Sequence, residues 1–388
     1  MIQPQHRFVS LSAAVFGLLL ILSCGFSGTA QAAPEGTGKA FRESLNRVMK
    51  APDGPPGIAV TIVREGRRQF FWRGRGNVRA NTAPKMRRPL RIASVSKAYS
   101  GAVALALVQR GKLKLTDTIG SVLPNLWPKS GGVTLAQLLR HTSGLADYIE
   151  DPEFIELLLA DPAMYMTPRK ILSFVDDQRP EFTPGTKYEY SDSDNLVIGL
   201  MAEKVTGAPY EKLLGRLIGR RIKTTRTSMP RTVTMPQPFL HGYAIEPGEP
   251  PQDISEFINP ALAWASGGIV STLPDISRFF RGYVGGRLFD AGLVRAQRRW
   301  VSGDSSPPGP GVNSSGLGLF RYRTKCGTMF GHTGSFPCYR VFAASSADGR
   351  RSIAYIANAQ IVPPDRGSQE VSALIRKSQV RAVCHALN

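Results

Sequence analysis

The chain has 388 residues, 42% of them hydrophobic, and carries 49 Lys and Arg against 29 Asp and Glu, a formal charge of +20. That length supports one large domain or two interlocked ones with a sizeable core, and no repeat period divides it. The basic excess invites an anionic partner, but no helix-turn-helix, zinc-finger or aromatic-basic signature accompanies it. Nucleic acid is therefore excluded as a partner in favour of an anionic envelope polymer or a merely solvated surface.

The N-terminus reads as an export signal. His6 and Arg7 precede an apolar run from Phe8 to Leu22, and Ala30-Gln31-Ala32 forms a small-residue cleavage site before Ala33. Residues 1–32 are thus expected to be a signal peptide, and residues 33–388 a secreted, periplasmic or envelope-associated domain. Cys24, after Ile21-Leu22-Ser23, offers the alternative of a lipoprotein. No later segment is long enough to span a membrane. Beyond Cys24 the chain holds Cys326, Cys338 and Cys384, an odd number that permits at most one internal bridge. No Cys/His cluster has zinc spacing and His-Glu-x-x-His is absent, so no metal or other cofactor is expected.

In chain order, Gly57 to Val63 and Gln69 to Trp72 read as a β-hairpin joined through Arg64-Glu65-Gly66-Arg67-Arg68. A polar loop then leads to Arg91-Ile92-Ala93-Ser94-Val95-Ser96-Lys97 and an apolar run to Val108, which predicts a helix buried on most sides with Ser94 in its first turn. Lys97, three residues on, shares a face with Ser94. A serine hydroxyl needs a neighbouring base to become a nucleophile, and a desolvated amine beside it can serve. The spacing alone arises by chance about once in a chain of this size, so its meaning rests on the remainder of the sequence.

Residues 112–260 change to short amphipathic segments broken by Gly and Pro, which predicts a mostly helical insertion. Within it, Tyr190-Ser191-Asp192 precedes an apolar helix from about Leu196. Another helix is predicted over 274–283. Strand patterns return at Leu317 to Tyr322, Cys338 to Ser345 and Ser352 to Ala357, with Ala347-Asp348-Gly349 as a turn, and a closing helix runs from Gln369 to Leu387. Gly331-His332-Thr333-Gly334-Ser335 lies just before one of these strands, whose edge can offer an N–H to an oxyanion. Strands at both ends with helices between predict an α+β fold, in which an antiparallel sheet built from both chain ends is flanked by helices and carries a helical insertion, with a cleft between.

The order Ser-x-x-Lys, Tyr-Ser-x, x-Thr-Gly resembles that of the penicillin-recognising serine enzymes. Leu138 to Leu145, Val197-Ile198-Gly199-Leu200 and Ser266 to Thr272 extend the resemblance over nearly all of the chain after residue 32. The nearest likeness is to the secreted serine D-alanyl-D-alanine carboxypeptidases and the related class C β-lactamases and esterases. The resemblance implies that Ser94 is acylated, that Lys97 is its proton partner, and that Tyr190 passes a proton to the leaving amine and later activates water. It makes the backbone N–H groups of Ser94 and Ser335 the oxyanion hole, and His332, Thr333, Gly334 and Asp192 substrate-binding residues. It also pairs Cys326 with Cys384 and leaves Cys338 free. The implied substrates are a peptidoglycan stem peptide, a β-lactam or an ester.

Two departures bear on activity. Asp192 stands where the family usually has Asn, and a carboxylate near Lys97 would stabilise its ammonium form. His332 stands where many lactamases have Lys, which favours a carboxypeptidase or esterase. Since an imidazole with an ordinary pKa near 6.5 is largely neutral at pH 7, Arg321 is the expected anchor for a substrate carboxylate. Trp264 is expected to line the cleft, and His141 to be a structural loop residue. A Ser-His-Asp hydrolase is disfavoured because Gly-x-Ser-x-Gly does not occur. Asp192 keeps a further alternative open, a non-catalytic sensor of peptidoglycan fragments or β-lactams.

Overall fold

The computed structural model describes residues 35–176, 179–359 and 366–388. The proposed signal peptide and Cys24 lie outside these residues. Eight antiparallel strands form the main sheet: β1 (Gly57–Arg64), β2 (Arg67–Gly74), β3 (Val301–Ser302), β4 (Val312–Gly316), β5 (Leu319–Thr324), β6 (Gly327–Phe336), β7 (Tyr339–Ser345) and β8 (Arg351–Ala357). Their spatial order is β2-β1-β8-β7-β6-β5-β4-β3, so the first hairpin joins the last strand, in register Ile58↔Ala357 through Arg64↔Arg351. The α+β fold and a sheet shared by the two ends of the chain are as the sequence predicts. The hairpin turn is tighter than the sequence suggests: Glu65 and Gly66, both at positive φ (48° and 84°), make it alone.

Helix α1 (Glu35–Lys50) and helix α6 (Arg366–Leu387) lie together on one side of the sheet, where Phe41, Leu45, Val371, Ile375 and Val383 pack on Ile58, Val60 and Phe342. A disulfide between Cys326, in the turn before β6, and Cys384 on α6 ties that layer to the sheet. Cys338 is free and buried. On the other side lie α2 (Ser96–Val108), α3 (Leu135–Arg140), α4 (Asp192–Thr206) and α5 (Leu273–Val284), within the larger core. Thr134 caps α3 reciprocally with Gln137, and Thr272 caps α5 through Asp275 N–H.

Two elements depart from expectation. Strand β6 is ten residues long and runs through Gly331 to Ser335, where the sequence suggested only a lead-in to the next strand. Its Gly and Ser residues carry little strand signal, and pairing with β7 from Phe330 to Phe336, joined by β5 up to Gly331, supplies what propensity does not. Helix α1 has no counterpart in the sequence reading, because its polar face dominates and only packing on the sheet gives it a reason to form.

Candidate active site

The Ser94 segment is not the first turn of the α-helix. It is a 3-10 turn, Ala93–Val95, that leads into α2. Ala93 adopts φ +51°, a left-handed conformation that costs an alanine about 1–2 kcal/mol. The strain is held by neighbours: Ile92 N–H donates to Ile269 O at 3.0 Å and Val95 N–H to Ile92 O at 3.2 Å. From the other side β6 presses in at Gly334, where a Cβ would lie 2.7 Å from Ile92 O and 3.0 Å from Ser94 N. Only glycine permits that approach, and it brings Ser335 beside Ser94 at the mouth of the cleft.

Lys97 is buried, and its ammonium has three acceptors: Asp192 Oδ1 at 2.6 Å, Ser94 Oγ at 3.1 Å and Ser266 O at 3.2 Å. It also lies 4.9 Å from the centre of the Tyr190 ring. Burial pushes the Asp192 carboxyl up, but the Lys97 charge and hydrogen bond outweigh this and hold it below the usual carboxylate range. Asp192 is therefore a carboxylate in an ion pair, turned into the site. The Tyr190 hydroxyl is buried without a hydrogen-bond partner of normal geometry. Burial first, then the charge on Asp192, hold its proton well above the ordinary phenol range, although Ser94 favours ionisation. Tyr190 is thus a phenol that donates rather than a resting phenolate.

Behind Tyr190 stands a pair that the sequence reading did not assemble. The His141 ring stacks on Tyr190 with centroids 4.6 Å apart, and its Nδ1 lies 2.8 Å from Asp194 Oδ2. Ser143 donates to Asp194 Oδ1 at 2.5 Å. Burial pushes His141 down to about 3 and Asp194 well up, so neutral forms are favoured in both. The signal was present in His141-Thr142-Ser143 and in Asp194, two residues past Asp192, but only the fold shows that they meet.

The remaining expected residues divide. Ser94, Tyr190, Asp192 and Ser335 line a cleft of 390 Å3 with Asp147, Glu150, Phe154, Asn259 and Phe336. His332 does not line it: the ring is buried, Nδ1 lies 2.5 Å from Thr333 O, and burial pushes its pKa down to about 3. Thr333 turns its hydroxyl to Pro307 O at 2.6 Å. Arg321 is also outside, with its guanidinium on Ser314 Oγ at 3.1 Å and over the Trp300 ring at 5.2 Å. The expectation for Trp264 is corrected: its indole is buried against Gly199, where a Cβ would come within 2.6 Å of the ring, and Nε1 faces Glu211 Oε1 at 3.4 Å. The bare edge of Gly199 makes the hole that draws the ring inward. Among the described residues no Lys or Arg lines the cleft, whereas three carboxyl groups do. No group of His, Cys, Asp and Glu among them could hold a metal ion.

A left-handed turn bearing serine, a buried lysine one helical turn on and a tyrosine between helical and sheet layers together define the penicillin-recognising serine class. The sequence matches the family described as Beta-lactamase over residues 45–375, and the chain belongs to that family. It is 24% identical over 257 residues to a protein named Beta-lactamase from Escherichia coli (strain K12), covering 64% of this chain and 63% of that one. It is 25% identical over 272 residues to Putative penicillin-binding protein PbpX from Bacillus subtilis (strain 168), covering 69% and 62%. The matches thus span about three fifths of the length of these curated relatives. Among solved structures, a D-stereospecific amidohydrolase from Streptomyces sp. superposes with a TM-score of 0.75 at 27% identity, over 86% of this chain and 97% of that one. A D-amino acid amidase from Ochrobactrum anthropi SV3 gives 0.76 at 22% identity, over 90% and 98%.

Proposed function

We propose that this protein is a serine hydrolase that forms an acyl-enzyme on Ser94 and acts on amides or esters of small D-amino acids or peptides with a free amine. The observation that carries the acyl-enzyme is the convergence of Ser94 Oγ and Lys97 Nζ at 3.1 Å in a cleft that Tyr190 and Ser335 also line. Ser94 Oγ attacks the carbonyl carbon and its proton passes to Lys97; as the carbonyl–leaving-group bond breaks, Tyr190 gives its proton to the departing nitrogen or oxygen and regains one from Lys97. Water then attacks the ester and releases Ser94. In the resting ion pair Lys97 holds its own proton, so it must shed that proton before it can accept one from Ser94.

The amine preference rests on charge. Glu150 and Asp147 on the cleft wall offer carboxyl groups to an ammonium, the Asp147 carboxyl being pushed well up by burial until a cation reaches it and Asp192 being already paired with Lys97, while among the described residues no Lys or Arg lines the wall to receive a substrate carboxylate. The 27% identical amidohydrolase agrees with this class. The D-alanyl-D-alanine carboxypeptidase expected from the motifs is the second reading, supported by the likeness to a putative penicillin-binding protein. Labelled penicillin followed by peptide mass mapping tests the nucleophile, and an adduct on any residue but Ser94, or none with several acyl donors, sinks the proposal. Kinetics with a D-amino acid amide and a D-alanyl-D-alanine peptide decide the second point: a higher kcat/KM for the peptide would favour the carboxypeptidase.

A further inference from the structure

Away from the cleft, three adjoining hollows of 730, 100 and 650 Å3 meet at Thr225, which lines all of them. The first is edged by Lys212, Arg216, Arg220 and Lys223. The second adds Arg68, Arg87, Arg226 and Arg278. The third shares Arg87 and Arg226 with the second and ends at Lys85 and Arg88. Ten cations thus edge three hollows joined at Thr225, and Asp275 is the one carboxylate that lines any of the three. That carboxylate is spent internally, on Arg226 N–H at 2.7 Å, Thr227 Oγ1 at 3.4 Å and Arg278 Nη1 at 3.2 Å.

Like charges are held together here with one carboxylate, paired to Arg278, as compensation. Burial, then Arg278 and Arg87, lower the Arg68 pKa, and Asp275 opposes them only weakly. Among the described residues none of Arg68, Lys85, Arg87 and Arg88 has a carboxylate within 4.0 Å. Such a row repels itself unless an external anion spans it, and seven of the ten cations are guanidinium forks, whose donor geometry matches phosphate oxygens. No aromatic side chain lines the hollows, so stacked nucleobases find no platform.

We infer that this trough binds a linear chain of phosphate groups without bases, a polyol phosphate or polyphosphate, and so tethers the enzyme to an anionic matrix. It shares no lining residue with the catalytic cleft. The inference therefore stands apart from the reaction proposed above.

The test is titration of the purified protein with fluorescent polyphosphate across a salt series, beside a single-stranded oligonucleotide and polyglutamate of matched charge. Polyphosphate is expected to bind tightest, with a log–log salt slope near −0.7 per phosphate engaged. Arg87→Glu, Arg216→Glu, Arg220→Glu and Arg226→Glu together should weaken it by more than about tenfold at low salt while penicillin still labels Ser94 at the parental rate. Four reversals elsewhere, at the exposed Arg47, Lys50, Arg110 and Lys112, make the same change in net charge and should matter much less. Equal loss in both variants, or an oligonucleotide or polyglutamate binding as tightly as polyphosphate, would overturn the assignment.

Discussion

Lys97 rests with its ammonium protons engaged by Asp192, Ser94 and Ser266, which is a stable arrangement and a poor one for a base. The carboxylate of Asp192 favours the ammonium and disfavours a Tyr190 phenolate, so neither group readily takes the serine proton near neutrality. Asp192→Asn keeps the shape and removes the charge. Acylation at pH 7 should then accelerate by about tenfold, and the rising limb of its pH profile should move to lower pH. Pre-steady-state acylation rates of both forms from pH 5 to 10 check this, and superimposable profiles would place Asp192 outside the proton path.

At the scale of elements, the position of Ser94 is fixed where β6 crosses the strained turn, and Gly334 is the contact. A methyl group there would meet the backbone of Ile92 and Ser94 at 2.7 to 3.0 Å, so strand and turn must part. Gly334→Ala should therefore slow acylation by about a hundredfold or more, comparable to loss of one oxyanion donor. The melting temperature should fall far less than core disruption would require, and a matched collapse of both would mean that the residue serves only folding. The same logic operates behind the site. Gly101 on α2 lies so close to Gly318 that a Cβ would come within 2.8 Å of its Cα, which lets the helix below Ser94 sit directly on the sheet.

For the whole molecule, pH is the sharpest probe. His332 is buried and resists protonation down to about 3, because its charged form would be desolvated. His141 behaves alike. The unfolded chain takes up these protons near pH 6.5, so stability is complete above that pH and declines as pH falls toward 3. Asp194, whose carboxyl is held well up by burial, acts in the opposite sense, gaining stability on acidification. Melting temperatures measured from pH 7 to 4 should fall, and less steeply in His332→Gln. An unchanged slope would mean that this imidazole is charged or exposed in the folded protein. The disulfide spans 58 residues and counters such unfolding, with a loop-closure contribution of about 4 kcal/mol.

The sequence by itself determined what is written in short windows. Ser-x-x-Lys puts two side chains within reach of each other, alternating strands at both ends imply a shared sheet, and Gly and Pro mark the breaks between helices, because each depends only on neighbours within a few residues. Tertiary structure decided everything that depends on which way a side chain turns once layers close. Trp264 faces Gly199 instead of the cleft because a missing Cβ leaves a hole there. Arg321 turns to Ser314 and Trp300, and His332 is held neutral by burial. The Asp194–His141 pair joins residues 53 positions apart. Ten cations drawn from β2, α5, the helical stretch 210–222 and separate loops come to edge adjoining hollows only when the chain is folded, since net charge in a sequence has magnitude and no direction.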